Sequence, residues 1–144
     1  MGKSDTGLYP SYEDGLAMDI FVKDGHGGYF EGHVWNNGPT LWPDFTHPNA
    51  TTYWTKQMAT FQKEVAFDGA WTDMNEPSNL CSGSYANWLD PTVDGCPNDP
   101  PLPYRPGDVP LHTHTLCMTA QHHIGPHLAA HNLYSYFETK VTYE

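Results

Sequence analysis

The most informative part of the chain is residues 71–79, with the sequence Trp-Thr-Asp-Met-Asn-Glu-Pro-Ser-Asn. This segment follows a turn at residues 67–69, and it is predicted to begin as a short buried strand that Pro77 ends. Asp73 and Trp71 are two positions apart, so on a strand both side chains project from the same face. A carboxylate beside an indole is useful for sugar chemistry, because the apolar faces of sugars stack on aromatic rings. The alternative interpretation is a turn in which the aspartate serves as a cap.

An amphipathic helix is predicted just before this strand. Its apolar stripe, at helical spacing, comprises Trp54, Met58, Phe61 and Val65. Pro48 suits the first turn, and Thr46 or Asn49 could supply a capping side chain. The helix and the strand together occupy residues 49–76. A helix that leads into a strand ending in polar residues is typical of α/β folds, which place their chemistry at the carboxyl ends of strands.

The rest of the chain is predicted to be mostly loop. Residues 1–48 are interpreted as loop with a hairpin-like excursion, in which short strands at 16–22 and 29–35 flank a glycine-rich turn. Residues 77–127 form one long proline-rich loop, and loops of that length tend to be functional or covalently stapled. Residues 128–144 are predicted to be a second helix. Its apolar stripe comprises Tyr134, Phe137 and Val141.

Composition excludes several classes of protein. Six Lys and Arg residues face 17 Asp and Glu residues, for a net charge of −11, whereas a nucleic-acid partner requires clustered Lys and Arg. No apolar run approaches the ~20 residues of a transmembrane helix. With 14% aromatic and 38% hydrophobic residues, the chain has enough apolar surface to fold. Its 144 residues suit one domain, but a complete (β/α)₈ barrel needs roughly 250 residues.

The nine histidines make the charge strongly pH-dependent, since protonating all of them would bring −11 to −2. This is compatible with an acidic lumen. The histidine-rich segment comprises His112, His114, His122, His123, His127 and His131. Such a tract can bind zinc, but this spacing fits no standard zinc motif. The favoured interpretation is a solvated loop, with no metal and no cofactor.

Three cysteines indicate one disulfide and one remaining thiol, Cys81, if the compartment is oxidising. Cys96 and Cys117 are well placed to staple the long loop, and closing a loop of about 20 residues contributes roughly 3 kcal/mol. Asn49 lies in an Asn-Ala-Thr sequon, so it is a candidate N-glycosylation site if the chain is secreted.

Residues 71–79 resemble the catalytic signature of glycoside hydrolase family 31, Trp-x-Asp-Met-Asn-Glu-Pro-Ser. Flanking segments that also resemble the family are Val34-Trp35, Pro43-Asp44-Phe45-Thr46, Phe67-Asp68-Gly69, Asp94-Gly95-Cys96, Thr115-Leu116-Cys117-Met118 and His131-Asn132-Leu133-Tyr134. The similarity runs from about residue 9 to residue 144, and the Cys96/Cys117 pair resembles the lysosomal acid and intestinal maltase-type α-glucosidases of that family. The implied fold is α/β, a partial (β/α)₈ TIM barrel around the strand that carries the nucleophile.

The resemblance also implies roles for individual residues. Asp73 is similar to the nucleophile of a retaining mechanism, which forms a covalent glycosyl-enzyme intermediate. Glu76 resembles a carboxylate that holds the orientation and charge of the nucleophile. Trp35 and Met74 match residues that line the pocket for the terminal glucose, and Trp71 matches an aromatic residue at the pocket wall. The family's general acid/base lies on a later strand, and no residue of this chain matches it.

The implied function is hydrolysis of terminal non-reducing α-linked glucose from oligosaccharides by a full-length parent in the secretory pathway, whether lysosomal, secreted or at the cell surface. The partners expected are the oligosaccharide and the remaining parts of the parent barrel, and the chain alone is expected to be inactive. The alternative is a non-catalytic carbohydrate-binding module, for which 20 aromatic residues would suit stacking platforms. Asp73 disfavours that alternative, because a pure binder has no use for a carboxylate that faces an anomeric carbon.

Overall fold

The computed structural model describes residues 9–144 of the chain. Its helices are α1 (Pro10–Ala17), α2 (Ala50–Glu64), α3 (Tyr85–Leu89), α4 (His127–Ala130) and α5 (Tyr134–Tyr143), with 3₁₀ turns at Pro106–Asp108 and His131–Leu133. Its strands are β1 (Gln121–His122) and β2 (Gly125–Pro126), which pair antiparallel. Much of the described chain is therefore irregular. Within it, no helix has both the length and the apolar character to cross a bilayer.

The core forms where the irregular segment 20–45 packs against α2 and α5. The ring of Phe45 contacts Trp54 of α2 and Tyr134 of α5 edge-on, with centroid separations of 5.1 and 5.2 Å. Aromatic pairs favour this geometry because the edge of one ring meets the face of the other. The indole Nε1 of Trp54 donates a hydrogen bond of 2.9 Å to Thr142 Oγ1 of α5. These contacts hold α2 and α5 against the same core.

The predicted helix before the motif is present as α2, but only the first half of its predicted stripe meets the core. Trp54 packs partly buried against the core, and Met58 is half-buried, whereas Phe61 and Val65 are more than half exposed. Asn49 occupies the N-cap position, yet no side chain caps the helix. The predicted cap and the second half of the stripe are therefore wrong, although the position of the helix agrees with its 3.6-residue period.

The second predicted helix is present as α4, a 3₁₀ turn and α5. Tyr134 and Val141 of its predicted stripe are buried, and Phe137 packs partly buried against the same core. The apolar spacing therefore identified the buried face of α5 correctly.

The amino-terminal segment differs from the loop-and-hairpin interpretation. α1 occupies residues that are predicted to be loop, because Pro10 suits the first turn of a helix. Residues 1–8 lie outside the described part of the chain. The glycine-rich turn is present, since Phe30 N donates to Val22 O at 2.9 Å. Its flanks form isolated bridges rather than the two predicted strands.

The predicted nucleophile strand is also not formed within the described residues. Residues 67–76 have no strand or bridge partner in that part of the chain. A parallel strand needs backbone partners beside it, as the strands of a closed barrel have. The strand prediction is therefore wrong for this chain taken by itself, and other interactions must hold the motif.

A disulfide joins Cys96 to Cys117 across a sequence separation of 21, and Cys81 is buried outside it. The bond packs tightly against Gly83, since a Cβ added there would lie 2.2 Å from Cys96 Sγ. Gly83 also has a φ of +86°, which favours glycine. The disulfide thus closes residues 96–117, inside the proline-rich loop, and packs against the backbone just after the motif.

We expect the double variant Cys96→Ala/Cys117→Ala to lower the free energy of unfolding of the complete protein that carries this chain by about 3 kcal/mol, because the unfolded chain regains the entropy of a loop of about 20 residues. Thermal melting with and without a reducing agent measures the effect. The reducing agent should lower the Tm of the wild type and leave that of the double variant unchanged. Equal melting temperatures for the wild type and the double variant would contradict the prediction.

Candidate active site

Asp73 and Met74 form a strained bend in the motif. The Asp73 side chain is exposed, and its Oδ1 accepts a hydrogen bond of 2.8 Å from Met74 N. Met74 has a φ of 59°, a left-handed conformation that costs roughly 1–3 kcal/mol for a residue other than glycine. Ser78 N donates to Met74 O at 2.9 Å, which closes the bend. Strain of this kind clusters at functional sites, where the surroundings hold it in place.

The second carboxylate of the motif, Glu76, lies on the same exposed segment. The Ser78 hydroxyl donates a short hydrogen bond to Glu76 Oε2, and the Glu76–Pro77 peptide bond is cis. Pro77 is fully buried, and its carbonyl accepts a bond of 2.7 Å from Thr115 Oγ1. The base of this segment is therefore anchored, while both carboxylates face outward.

A cavity of about 320 Å³ lies beside the bend. It is lined by Val34, Trp35, Asn36, Thr40, Trp42, Met74 and Ser78. The indole Nε1 of Trp35 donates to Met74 Sδ at 3.3 Å, so the structure brings together two of the three predicted pocket residues. The third, Trp71, does not line the cavity and is 88% exposed. Trp42 was missed, because it lies in a segment that is predicted to be loop and carries no signal of its own.

A larger cleft of about 750 Å³ lies between residues 24–31 and residues 84–98. None of the predicted catalytic or substrate-binding residues lines it, although Cys117 of the disulfide does. Volume alone therefore does not identify the site. The bend carries both carboxylates of the motif and borders the smaller cavity through Met74 and Ser78, so the smaller cavity is the candidate active site.

The histidine-rich segment is a solvated loop only in part, because His114 and His123 are exposed whereas His122 and His127 are buried. His127 is 0% exposed and His122 is 6% exposed. His122 Nδ1 lies 3.1 Å from Asp44 Oδ1, and His122 Nε2 lies 2.9 Å from His127 Nδ1. His127 Nε2 lies 3.3 Å from His131 Nδ1. An ionised carboxylate only accepts hydrogen bonds, so each histidine of this buried chain donates through Nδ1 toward Asp44.

Burial controls the protonation of this histidine chain. Burial, followed by the charges of His122 and His131, lowers the pKa of His127 to about 3, and burial also lowers the pKa of His131. Burial alone would raise the pKa of Asp44, but hydrogen bonds from His122 and Thr46 outweigh it and lower that pKa. At neutral pH the buried histidine chain therefore contains an ionised Asp44 and a neutral His127.

The described residues bring together one set of potential metal ligands, Cys96, Asp99 and Cys117. Both sulfurs of that set are consumed by the disulfide, and a metal ligand requires a thiolate. Asp99 instead accepts hydrogen bonds from the backbone of Met118 and Thr119. This set serves as a structural anchor.

The candidate glycosylation residue, Asn49, is exposed just before α2. Its backbone N–H donates to His47 Nδ1 at 3.1 Å, and its side chain makes no capping bond to the helix. The side-chain amide is therefore accessible for modification in this structure.

Comparisons with known proteins are consistent with this geometry. Residues 2–144 match the family described as the glycosyl hydrolases family 31 TIM-barrel domain. The lysosomal alpha-glucosidase of Bos taurus is 37% identical over 141 residues, which cover 95% of this chain and 14% of that protein. The intestinal sucrase-isomaltase of Oryctolagus cuniculus is 36% identical over 129 residues, which cover 89% of this chain and 7% of that protein.

Among solved structures, the Tris-bound glucosidase II alpha subunit superposes with a TM-score of 0.66 at 24% identity, over 99% of this chain and 12% of that one. The α3-Glc2-bound form of the same subunit gives a TM-score of 0.64 at 23% identity. The fold is therefore that of a part of such a barrel domain. The chain spans only a small fraction of the length of each of these relatives.

Proposed function

The chain belongs to glycosyl hydrolase family 31 and is part of its TIM-barrel domain, and from this premise we propose that Asp73 is the nucleophile of a retaining α-glucosidase. The observation that carries the proposal is the bend at Met74, which presents an exposed carboxylate beside the cavity lined by Trp35 and Met74. Lysosomal alpha-glucosidases match most of this chain at 37–38% identity, which supports glucose as the sugar.

In the proposed reaction, Asp73 attacks the anomeric carbon of the terminal α-linked glucose. The bond from that carbon to the leaving oxygen breaks, a general acid donates a proton to that oxygen, and a glycosyl ester forms on Asp73. Water, deprotonated by the same group, then attacks the anomeric carbon and releases glucose and the free carboxylate. No cofactor is needed in this scheme.

The other predicted residues receive supporting roles. Glu76 helps hold the orientation and charge of Asp73, and its own orientation is restrained by the Ser78 hydroxyl. Trp35 and Met74 form the wall of the glucose pocket, because they contact each other and line the same cavity. Trp71 offers an exposed ring face for stacking on the substrate.

A retaining enzyme also needs a second carboxylate about 5–5.5 Å from the nucleophile. We assign that general acid/base to a part of the barrel domain outside this chain, so the chain alone should not turn over substrate. The disulfide between Cys96 and Cys117 and the accessible sequon at Asn49 support a parent in the oxidising secretory pathway. The lysosomal relatives agree with that location.

The test uses the complete protein that carries this chain and a nitrophenyl α-glucoside. Proton NMR of the first product should show α-glucose before mutarotation, as double displacement requires. β-Glucose as the first product would exclude the nucleophile assignment. Binding of the sugar without turnover would support a carbohydrate-binding module, which could use the exposed rings of Trp35 and Trp71. Hydrolysis by residues 1–144 alone would refute an acid/base outside this chain.

A further inference from the structure

The side chain of Asn79, at the end of the motif, joins three segments of the chain. It is 1% exposed. Its Oδ1 accepts a hydrogen bond of 3.0 Å from His33 N, and its Nδ2 donates bonds of 2.6 Å to Gly83 O and 3.1 Å to Thr115 O. Both donors and the acceptor of the amide are used. A buried amide with this degree of satisfaction holds its partners in one arrangement.

These bonds connect the pocket wall to the carboxylate segment. His33 lies two positions before Trp35, and its carbonyl accepts a bond of 2.8 Å from Leu80 N. Asn79 itself lies three positions after Glu76. The two backbone segments are therefore joined at two adjacent points, one through the amide of Asn79 and one through the backbone of Leu80.

Close packing leaves the amide of Asn79 little freedom to move. A Cβ added at Gly32 would lie 2.8 Å from Asn79 Oδ1 and 2.7 Å from the ring of Trp42. The glycine lets the backbone of the pocket wall approach the amide closely. On the opposite segment, Thr115 Oγ1 holds Pro77 O at 2.7 Å. Asn79 is thus packed between the wall of the cavity and the base of the motif.

This arrangement matters because backbone pairing in a sheet positions the residues of the strand itself, whereas Asn79 lies in the irregular segment three positions after Glu76. The side-chain bonds of Asn79 fix that segment against the backbone of the pocket wall. A displacement of about 1 Å at a reacting group can lower a rate about 10²-fold.

We propose that Asn79 is a positioning residue, which sets the distance between the Trp35–Met74 wall and the Asp73 carboxylate without touching substrate. The inference rests on the proposed function of Asp73. It assigns to Asn79 an effect on the rate of the chemical step, in addition to any effect on stability.

The test is Asn79→Asp in the complete protein. The variant keeps the shape and the Oδ1 acceptor but loses both N–H donors to Gly83 O and Thr115 O. An activated fluoro-glucoside that traps the glycosyl-enzyme counts the active sites. We expect kcat per titrated site to fall about 10²-fold, with a smaller change in KM. A residue with a merely structural role would lower the number of titratable sites and leave kcat per site unchanged.

The matched control is Asn87→Asp in α3. Asn87 also bridges backbone groups, since its Oδ1 accepts from Ser82 N at 3.0 Å and its Nδ2 donates to Val93 O at 2.8 Å. It does not line the cavity beside the bend. Its variant should keep the wild-type kcat per site. An equal loss in both variants would overturn the specific role of Asn79.

If Asn79→Asp yields no folded protein, Thr115→Val is the second variant. It removes the neighbouring hydrogen bond that Thr115 Oγ1 donates to Pro77 O in the same segment. A several-fold fall in kcat per site is then expected, and an unchanged value would overturn the inference.

The outcomes distinguish the proposed function of Asp73 from the positioning role of Asn79. A wild-type protein that does not retain configuration contradicts the proposed function, whereas a retaining wild type with an unaffected Asn79→Asp variant contradicts the positioning role alone.

Discussion

Replacing Asp73 with alanine is expected to lower kcat for α-glucoside hydrolysis by the complete protein on the order of 10⁶-fold, the loss seen when the nucleophile of a serine protease is removed. The loss follows because the glycosyl ester can no longer form. Steady-state kinetics with a nitrophenyl α-glucoside measure it. Asp90→Ala is the matched control, since Asp90 is an exposed acid that bonds to Thr92 in its own turn, and it should keep wild-type activity.

Added azide distinguishes a missing nucleophile from a damaged site. In Asp73→Ala the vacated space lets azide attack the anomeric carbon from the side where the carboxylate stood. The expected product is β-glucosyl azide, with a partial recovery of rate. In the wild type, an activated fluoro-glucoside should leave its label on Asp73, as mapped by peptide mass spectrometry. A label on another residue, together with loss of activity, would show that the assignment is wrong.

The buried histidine chain has a large expected effect on stability at acid pH. The pKa of His127 is about 3 in the folded protein, against an ordinary value of 6.5. Between these values the unfolded state binds more protons than the folded state. The free energy of unfolding is therefore highest above pH 6.5 and falls as the pH drops toward 3. Each pH unit in that window weakens folding by about 1 kcal/mol for this histidine.

His127→Gln should therefore flatten the pH dependence of unfolding. The variant loses stability at pH 7, because it breaks the buried bonds to His122 and His131. Between pH 7 and pH 4, however, it should lose less than the wild type does. Denaturant unfolding of the complete protein at several pH values provides the measurement. His26→Gln, an exposed histidine in the glycine-rich turn, should keep the wild-type slope, and an equally steep slope in His127→Gln would rule the mechanism out.

The groups around His127 act together on this effect. His122 of β1 and His131 of the following 3₁₀ turn hydrogen-bond to His127 directly. Asp44 acts through His122, and the ring of Tyr134 in α5 also packs against the ring of His122. The lowered pKa of Asp44 also makes the free energy of unfolding fall with decreasing pH, at still lower pH values. The sequence argument from net charge points the other way, since protonation of nine histidines reduces self-repulsion. His127 and His131, whose pKa values burial lowers, are therefore the members of that set that oppose stability in acid.

Part of this organisation was accessible from the order of residues alone. The period of apolar residues placed α2 and the buried face of α5, because a helix repeats along the chain every 3.6 residues. Residues 71–79 led to the family, because a specific order of consecutive residues is a property of the chain itself. The same local patterns failed at the carboxyl end of α2 and at the predicted strand, where burial and pairing depend on other segments.

The functional contacts required the folded chain. Trp35 meets Met74 across 39 positions, Asn79 meets His33 across 46, and Asp44 meets His122 across 78. No local period encodes such pairs, since they form when irregular segments pack and each buried polar group must find a partner. The chemistry of the motif could thus be read from consecutive residues, whereas the geometry that supports it and the buried, neutral His127 arise from packing between distant residues.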